Sequence, residues 1–147
     1  TLIDRLMATA ISPNGVGIAA PQVGFSWQLL VIASRPNLRY PHAPSMEPTA
    51  LINPRLVAHG DEQDQGWEGC LSVPGLRGKV PRYREIEVEY LDRRGQICRQ
   101  VWQGFVARIF QHEYDHLTGH VLLDRLRSEQ DVISEEAFLQ LVIAGEA

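Results

Sequence analysis

Only two cysteines, Cys70 and Cys98, occur in the 147 residues, and they stand in unlike surroundings. That argues against a disulfide framework and for a reducing compartment. Positive charge is also scarce: 14 Lys and Arg against 18 Asp and Glu leave a net charge of -4. With a pI near 5.7 there is no basic footprint, so nucleic acid is not expected as a direct ligand. No apolar run reaches membrane-spanning length, and no secretory signal or transit segment is visible, so the reading is a soluble chain without a membrane partner. Internal repeats and low-complexity tracts are missing too, which removes solenoids and linkers. What is present, 44% apolar and 22% charged residues, fits a single domain over 1–147 with a sizeable core.

The most informative stretch is His112-Glu113-Tyr114-Asp115-His116. Phe105, Val106, Ile109 and Phe110 recur at helical spacing ahead of it, and Gly119 stands where a helix stop is expected. Two imidazoles four residues apart on a helix share a face and can grip one metal ion, with the intervening carboxylate beside it. In that arrangement the metal acidifies a bound water and the glutamate shuttles its proton. The plain alternative is a chance spacing of hydrogen-bonded or solvated histidines.

A catalytic site of this kind takes a third protein ligand. His120 falls beyond the helix stop, and the longer metzincin pattern is absent. His42 and His59 lie in polar, Pro-rich or charged surroundings, and Cys98 reads as a small packing residue in a strand from Gln96 to Trp102. Cys70 differs, because it sits in Gly66-Trp67-Glu68-Gly69-Cys70-Leu71-Ser72-Val73-Pro74-Gly75, where glycines allow close backbone approach and Pro74-Gly75 marks a turn. Metal ligand, nucleophile and inert packing residue all remain open for it, since a nucleophile would need His112 or His116 as its base.

A third feature is Asn14-Gly15-Val16-Gly17-Ile18-Ala19-Ala20-Pro21-Gln22-Val23-Gly24. Its small residues let a ligand's backbone lie against the chain, and Gln22 supplies one amide. It lacks the spacing of a dinucleotide fingerprint and no G-K-[ST] follows, so neither dinucleotide nor phosphate binding is indicated.

Taken in order, Gly15 to Gln22, Glu68 to Ser72 and Gln111 to His116 resemble the Gly-x-Gly-x-Ala-Ala-x-Gln, Glu-Gly-Cys-Leu-Ser and Gln-His-Glu-x-Asp-His segments of the peptide deformylases. All three match at every defined position, and the likeness continues through Val80-Pro81-Arg82 and His116-Leu117-Thr118-Gly119, covering Gly15 to about Leu126.

The resemblance implies a metal-dependent hydrolase that removes the N-formyl group from the formylmethionine of newly made polypeptides and releases formate. Cys70, His112 and His116 would hold the metal, with Fe2+ as the physiological ion and Zn2+, Ni2+ or Co2+ as alternatives. Glu113 would be general base and acid toward the metal-bound water. The Leu71 backbone N–H and the Gln22 amide would meet the charge growing on the formyl oxygen. Val16, Phe105 and Ile109 would line a slot for the methionine side chain, while the backbone at Gly17 and Gly69 pairs with the extended peptide. Glu68 and Arg82 would form a charge pair steadying the Cys70 loop, with solvated surface charges as the alternative. Arg77 is a weaker candidate for orienting peptide carbonyls.

The implied partners are formylmethionyl peptides and nascent chains. Ribosome contact would need a basic patch, for which Arg125 and Arg127 are scattered candidates. The implied compartment is a bacterial-type cytoplasm, or an organelle matrix or stroma.

Leu2, Ile3, Leu6, Met7 and Ala10 form an apolar stripe that predicts a helix closed by Ser12-Pro13-Asn14-Gly15. Strands are expected near Leu29–Ala33 and around Leu51–Val57, the latter with Pro54 at an edge or bulge. Between them Arg35–Pro48, with four prolines, reads as a surface loop, and Gly60–Gln65 as exposed polar chain. Ile86, Val88 and Tyr90 alternate with Glu85, Glu87 and Glu89, giving a half-buried strand that Asp92-Arg93-Arg94-Gly95 turns into its partner. Ser134 caps a last amphipathic helix in which Phe138, Leu139, Leu141 and Val142 pack, ending near Gly145. The class is therefore α+β: antiparallel strands around a central helix carrying the H-E-x-x-H motif, with helices at both ends.

The chain opens inside its first helix, whereas members of the family generally begin with an extended segment, so such a segment is expected to be missing. Two rival readings remain: an H-E-x-x-H peptidase cutting internal bonds, and a non-catalytic zinc-binding module.

Overall fold

The computed structural model describes residues 1–12, 15–70 and 73–147. In chain order the elements are α1 (Leu2–Ala10), β1 (Gly17–Ala19), a 3-10 turn (Ala20–Val23), β2 (Leu29–Ile32), β3 (Thr49–His59), β4 (Gln63–Cys70), β5 (Val73–Tyr83), β6 (Glu85–Leu91), β7 (Ile97–Gln103), α2 (Gly104–Leu117), two further 3-10 turns (Leu122–Arg125 and Glu129–Asp131), β8 (Val132–Ser134) and α3 (Glu135–Ile143). Five strands form one antiparallel sheet in the order β1-β2-β3-β6-β7, and three form another in the order β4-β5-β8. The architecture is α+β, and α2 packs against both sheets. Among the described residues no helix is long and apolar enough to cross a membrane.

The unbroken run Leu29-Leu30-Val31-Ile32 is the sign of a strand covered on both faces, and all four residues are buried. Leu30 and Ile32 join Leu51, Ile86, Val88, Ala107 and Phe110 in a core between the larger sheet and α2. Leu29 and Val31 point the other way, into a second core with Leu6, Ala10 and Ile18 that seats α1. Helix α1 is capped by Thr1, whose Oγ1 accepts from the Asp4 backbone N–H at 3.2 Å. Its proposed stop includes Pro13 and Asn14, which lie outside the described residues.

The β6–β7 hairpin follows the alternation read from Glu85 to Tyr90, with Asp92 Oδ1 accepting from the Arg94 and Gln96 backbones and Gly95 at a φ of 78°. Helix α2 ends before Gly119, whose φ of 84° is the left-handed conformation that glycine adopts without penalty. Ser134 caps α3 by accepting from the Ala137 N–H at 3.0 Å.

Five expectations are corrected or narrowed. Pro54 marks a bulge rather than an edge, because β3 is paired on both sides and its register shifts between Ile52 and Arg55, with Asn53 at a φ of 48°. The tail of the exposed segment is structured: Gln63 to Gln65 open β4 and pair with Tyr83 to Pro81. Pro74-Gly75, expected as a turn, lies within β5, and Gly66 to Cys70 lies within β4, where cross-strand pairing of Gly66 and Trp67 with Val80 and Lys79 supplies what local propensity withholds. The chain from Arg35 to Pro48 has no regular structure, yet it is not merely surface. Ala43 is buried, and Ser34 Oγ donates to the Pro44 carbonyl at 2.6 Å, folding the loop back on the body. In α3 only Phe138 is fully buried.

Candidate metal centre and its groove

Helix α2 carries an unusual load of buried polarity: Arg108, Gln111, Glu113 and Asp115 are all buried. His112 lines the groove, and the His116 ring stands nearly perpendicular to it, their centroids 5.2 Å apart. Cys70 arrives from the end of β4, where a register irregularity between Glu68 and Cys70 re-aims the strand. Its Sγ lies 3.2 Å from His116 Nε2 and also 3.2 Å from Gln22 Nε2, the donor in that contact. The other end of the Gln22 amide is pinned, because Oε1 accepts from the Ala19 backbone N–H at 2.8 Å.

Ligand atoms of Cys70, His112 and His116 lie within 4.8 Å of one another. Their make-up, one thiol and two imidazole nitrogens, fits a divalent transition metal. His112 Nδ1 is engaged by Glu68 Oε1 at 2.8 Å, which leaves Nε2 for the groove. Burial alone would lower the His112 pKa, but hydrogen bonding to Cys70 and Glu68 and the nearby Glu113 charge outweigh it and raise it to about 10. Surroundings that favour a proton so strongly favour a metal cation as well.

Glu113 Oε1 stands 3.8 Å from His112 Nε2 and 3.9 Å from His116 Nε2. Burial pushes its pKa up to about 7, against the pull of both imidazoles. A carboxyl poised there can take and return a proton near neutral pH.

Behind the histidines runs a lattice of buried ions. Glu68 accepts from Arg82 through both oxygens, Nε at 2.9 Å and Nη2 at 2.8 Å, and from Arg108 Nη1 at 2.6 Å. Burial would raise the Glu68 pKa, yet the Arg82 and His112 hydrogen bonds hold it well below the usual carboxylate range. Both Glu68 and Arg82 are buried, so they are not the solvated charges of the alternative reading. Arg82 Nη1 continues to Asp115 Oδ2 at 2.7 Å, and Asp115 also takes Arg125. Gln111 locks α2 to β5, accepting from the Tyr83 N–H and donating to the Tyr83 carbonyl, each at 2.9 Å.

The groove has a volume of about 370 Å³. Val16, Gly17, Gly69, Phe105 and Ile109 all line it, together with Gln22, Cys70, His112 and Glu113. Gly17 is there for space: a Cβ would come within 2.9 Å of Ile109 Cγ2 and 3.2 Å of Glu113 Cγ. Arg77, buried over Gly69, is bound at 2.6 Å to Glu135 Oε2 and at 2.9 Å to the Tyr40 hydroxyl. Leu71, expected to offer its backbone N–H, lies outside the described residues.

The competing side chains are elsewhere. His59 stacks on Tyr83 at 3.7 Å, His120 sits 3.8 Å from Asp124, and Cys98 packs half-buried against the main core. Sequence reading missed Arg108, Asp115 and Tyr40 as parts of this region. For the first two a signal existed: positions 108, 112 and 115 share one helical face that is otherwise a core face, so charges there must be paired. Tyr40 carried no such signal.

A helix-borne H-E-x-x-H pair with a cysteine across a groove has the make-up of a metal-dependent hydrolase. The family model for polypeptide deformylase matches residues 1–132. Peptide deformylase 2 of Nostoc sp. is 60% identical over 141 residues, covering 96% of this chain and 79% of the relative. Peptide deformylase 1 of Bordetella pertussis is 48% identical over 126 residues, covering 86% and 72%. The crystal structure of a class I type b peptide deformylase from Acinetobacter baumannii bound to Met-Ala-Ser superposes with a TM-score of 0.83 at 48% identity, covering 85% of this chain and 79% of that one. The chain belongs to the polypeptide deformylase family. Enzymes of this family depend on a metal and remove N-formyl groups from nascent peptides.

Proposed function

We propose that Cys70, His112 and His116 hold one divalent metal ion, Fe2+ in the cell, with Zn2+, Ni2+ or Co2+ able to replace it. The convergence of Cys70 Sγ with the two imidazoles within 4.8 Å carries this reading. When bound, the ion supplies Lewis acidity and lowers the pKa of a water. Glu113 takes a proton on its carboxylate as hydrolysis begins and returns it to the leaving amine, a role supported by its burial and its raised pKa. The Gln22 Nε2–H, oriented by the Oε1 bond to Ala19, and the Leu71 backbone N–H stabilise the charge developing on the formyl oxygen.

Val16, Phe105 and Ile109 form the slot for the methionine side chain, and the backbone at Gly17 and Gly69 binds the peptide beyond it. The Met-Ala-Ser in the Acinetobacter baumannii neighbour supports a peptide with methionine first. Residues 1–147 act as one metallohydrolase domain in a bacterial-type cytoplasm or an organelle matrix. Nascent chains are met without direct nucleic-acid or membrane binding. Of the two scattered cations, Arg125 is paired with Asp115, while Arg127 meets only the neutral Gln63 amide and keeps its charge for any ribosome contact.

Anaerobic purification with metal analysis, followed by formate release from formyl-Met-Ala-Ser, tests metal and reaction together. One equivalent of iron and stoichiometric formate are expected. Casein cleavage without formate would establish the internal peptidase instead.

A further inference from the structure

A second cavity of about 260 Å³ adjoins the groove, and the two share Arg39, Tyr40, Phe105 and Arg108 in their walls. We propose that the ring of Tyr40 is the partition that fixes which first side chains the groove accepts, by closing off this second cavity. The proposal rests on the groove being the formylmethionine site.

The ring sits 4.7 Å from Phe105 and 6.1 Å from Phe138, centroid to centroid. Its hydroxyl donates to the Trp67 carbonyl at 3.0 Å and accepts from Arg77 Nη1 at 2.9 Å. Arg77 is in turn anchored by Glu135, which also takes Arg39 at 2.8 Å, beside Tyr40 in the chain. The ring is thus held from β4, β5, α2 and α3, although it is carried by a loop without regular structure. Burial pushes the phenol up to about 12, so it keeps its proton and remains a donor at any working pH.

The apolar part of this second cavity is lined by Trp67, Phe138, Ala43 and Pro41, and Arg39, His42 and the buried Arg108 also border it. Its volume is several times the ~30 Å³ share of a water molecule in the liquid, so it can take several methylenes. With Tyr40 in place, a side chain longer than methionine must leave carbons in water or displace a ring tied at both ends. The ligand class that the partition excludes is therefore formylated peptides with a long unbranched first side chain. Each methylene that gains a buried place is worth roughly fourfold in binding.

The test is the ratio of kcat/KM for formyl-2-aminodecanoyl-Ala-Ser to that for formyl-Met-Ala-Ser, measured on the full chain purified anaerobically with iron. Tyr40→Ala is expected to raise this ratio about tenfold or more, and Tyr40→Leu by a smaller factor. Tyr40→Phe keeps the ring between Phe105 and Phe138 and should leave the ratio within about twofold of wild type, whatever its absolute rate. Partial unfolding cancels in a ratio from one preparation, and Tyr40→Leu carries the test if the alanine variant does not fold. A ratio unmoved in the truncated variants, or moved as far by Tyr40→Phe as by Tyr40→Ala, overturns the partition. No formate from either peptide with the wild type would instead sink the reading of the groove.

Discussion

Glu68 Oε1 lies 2.8 Å from His112 Nδ1, so a carboxylate from the three-stranded sheet decides which imidazole nitrogen of the helix faces the groove. The same carboxylate is the hub for Arg82 and Arg108, and through them the metal helix is tied to β5. Orientation of a candidate ligand and attachment of the helix are one piece of chemistry.

Glu68→Gln should therefore weaken metal binding about 10–100-fold, as loss of an orienting partner generally does. Competition against a chromophoric chelator reads this directly. Glu68→Ala leaves the buried Arg108 without its carboxylate and Arg82 with Asp115 alone, and should cost on the order of 3–5 kcal/mol of stability. Equal metal affinity in wild type and the glutamine variant would remove the orienting role.

Replacing Glu113 separates chemistry from metal binding. Glu113→Ala is expected to retain a full equivalent of metal and to lose formate release by about 10²–10⁴-fold. Metal analysis beside the activity assay checks both halves, and full activity in the variant would rule the carboxylate out as proton carrier.

Gly17 allows β1 to lie directly against α2. In Gly17→Ala the added Cβ meets Ile109 Cγ2 at 2.9 Å and the backbone oxygen of Val31 at 3.1 Å. Because backbone cannot yield as a side-chain tip does, destabilisation of about 1–3 kcal/mol is expected. Urea unfolding measures it, and a parallel fall in kcat/KM would follow from displacement of the Glu113 stem.

Stability in acid should follow the Glu68 carboxyl. Its folded pKa is depressed below the unfolded value near ~4.3, so its contribution is fully present above that pH and is lost as pH falls through the folded value. Urea midpoints should decline progressively from about pH 4 downward, and the decline should be shallower in Glu68→Gln. Identical slopes in the two proteins would place the acid sensitivity elsewhere.

Legibility from sequence tracked how local each signal was. The 85–103 hairpin was readable because alternation and an Asp-to-Gly turn lie within a few residues. The central helix was readable because its apolar period and glycine stop are local too. The β4–β5 hairpin was not, since Gly66, Gly69, Gly75, Gly78, Pro74 and Pro81 spoil strand propensity and only pairing across the hairpin makes it extended. Its glycines have a tertiary reason: a Cβ at Gly69 would stand 2.5 Å from the Arg77 guanidinium, and one at Gly66 2.8 Å from that of Arg108.

The amino-acid order alone determined which side chains are available for chemistry, His112, Glu113 and His116 on one helical turn and Cys70 in a tight glycine-flanked setting, because spacing and residue type are properties of the chain itself. Tertiary structure decided what those side chains face. The distance of 3.2 Å between Cys70 and His116 joins residues 46 apart, the Glu68 hub draws on two sheet strands and a helix, and Tyr40 reaches its wall from a loop. Such contacts follow from the packing of whole elements around buried charge, and no local period encodes them.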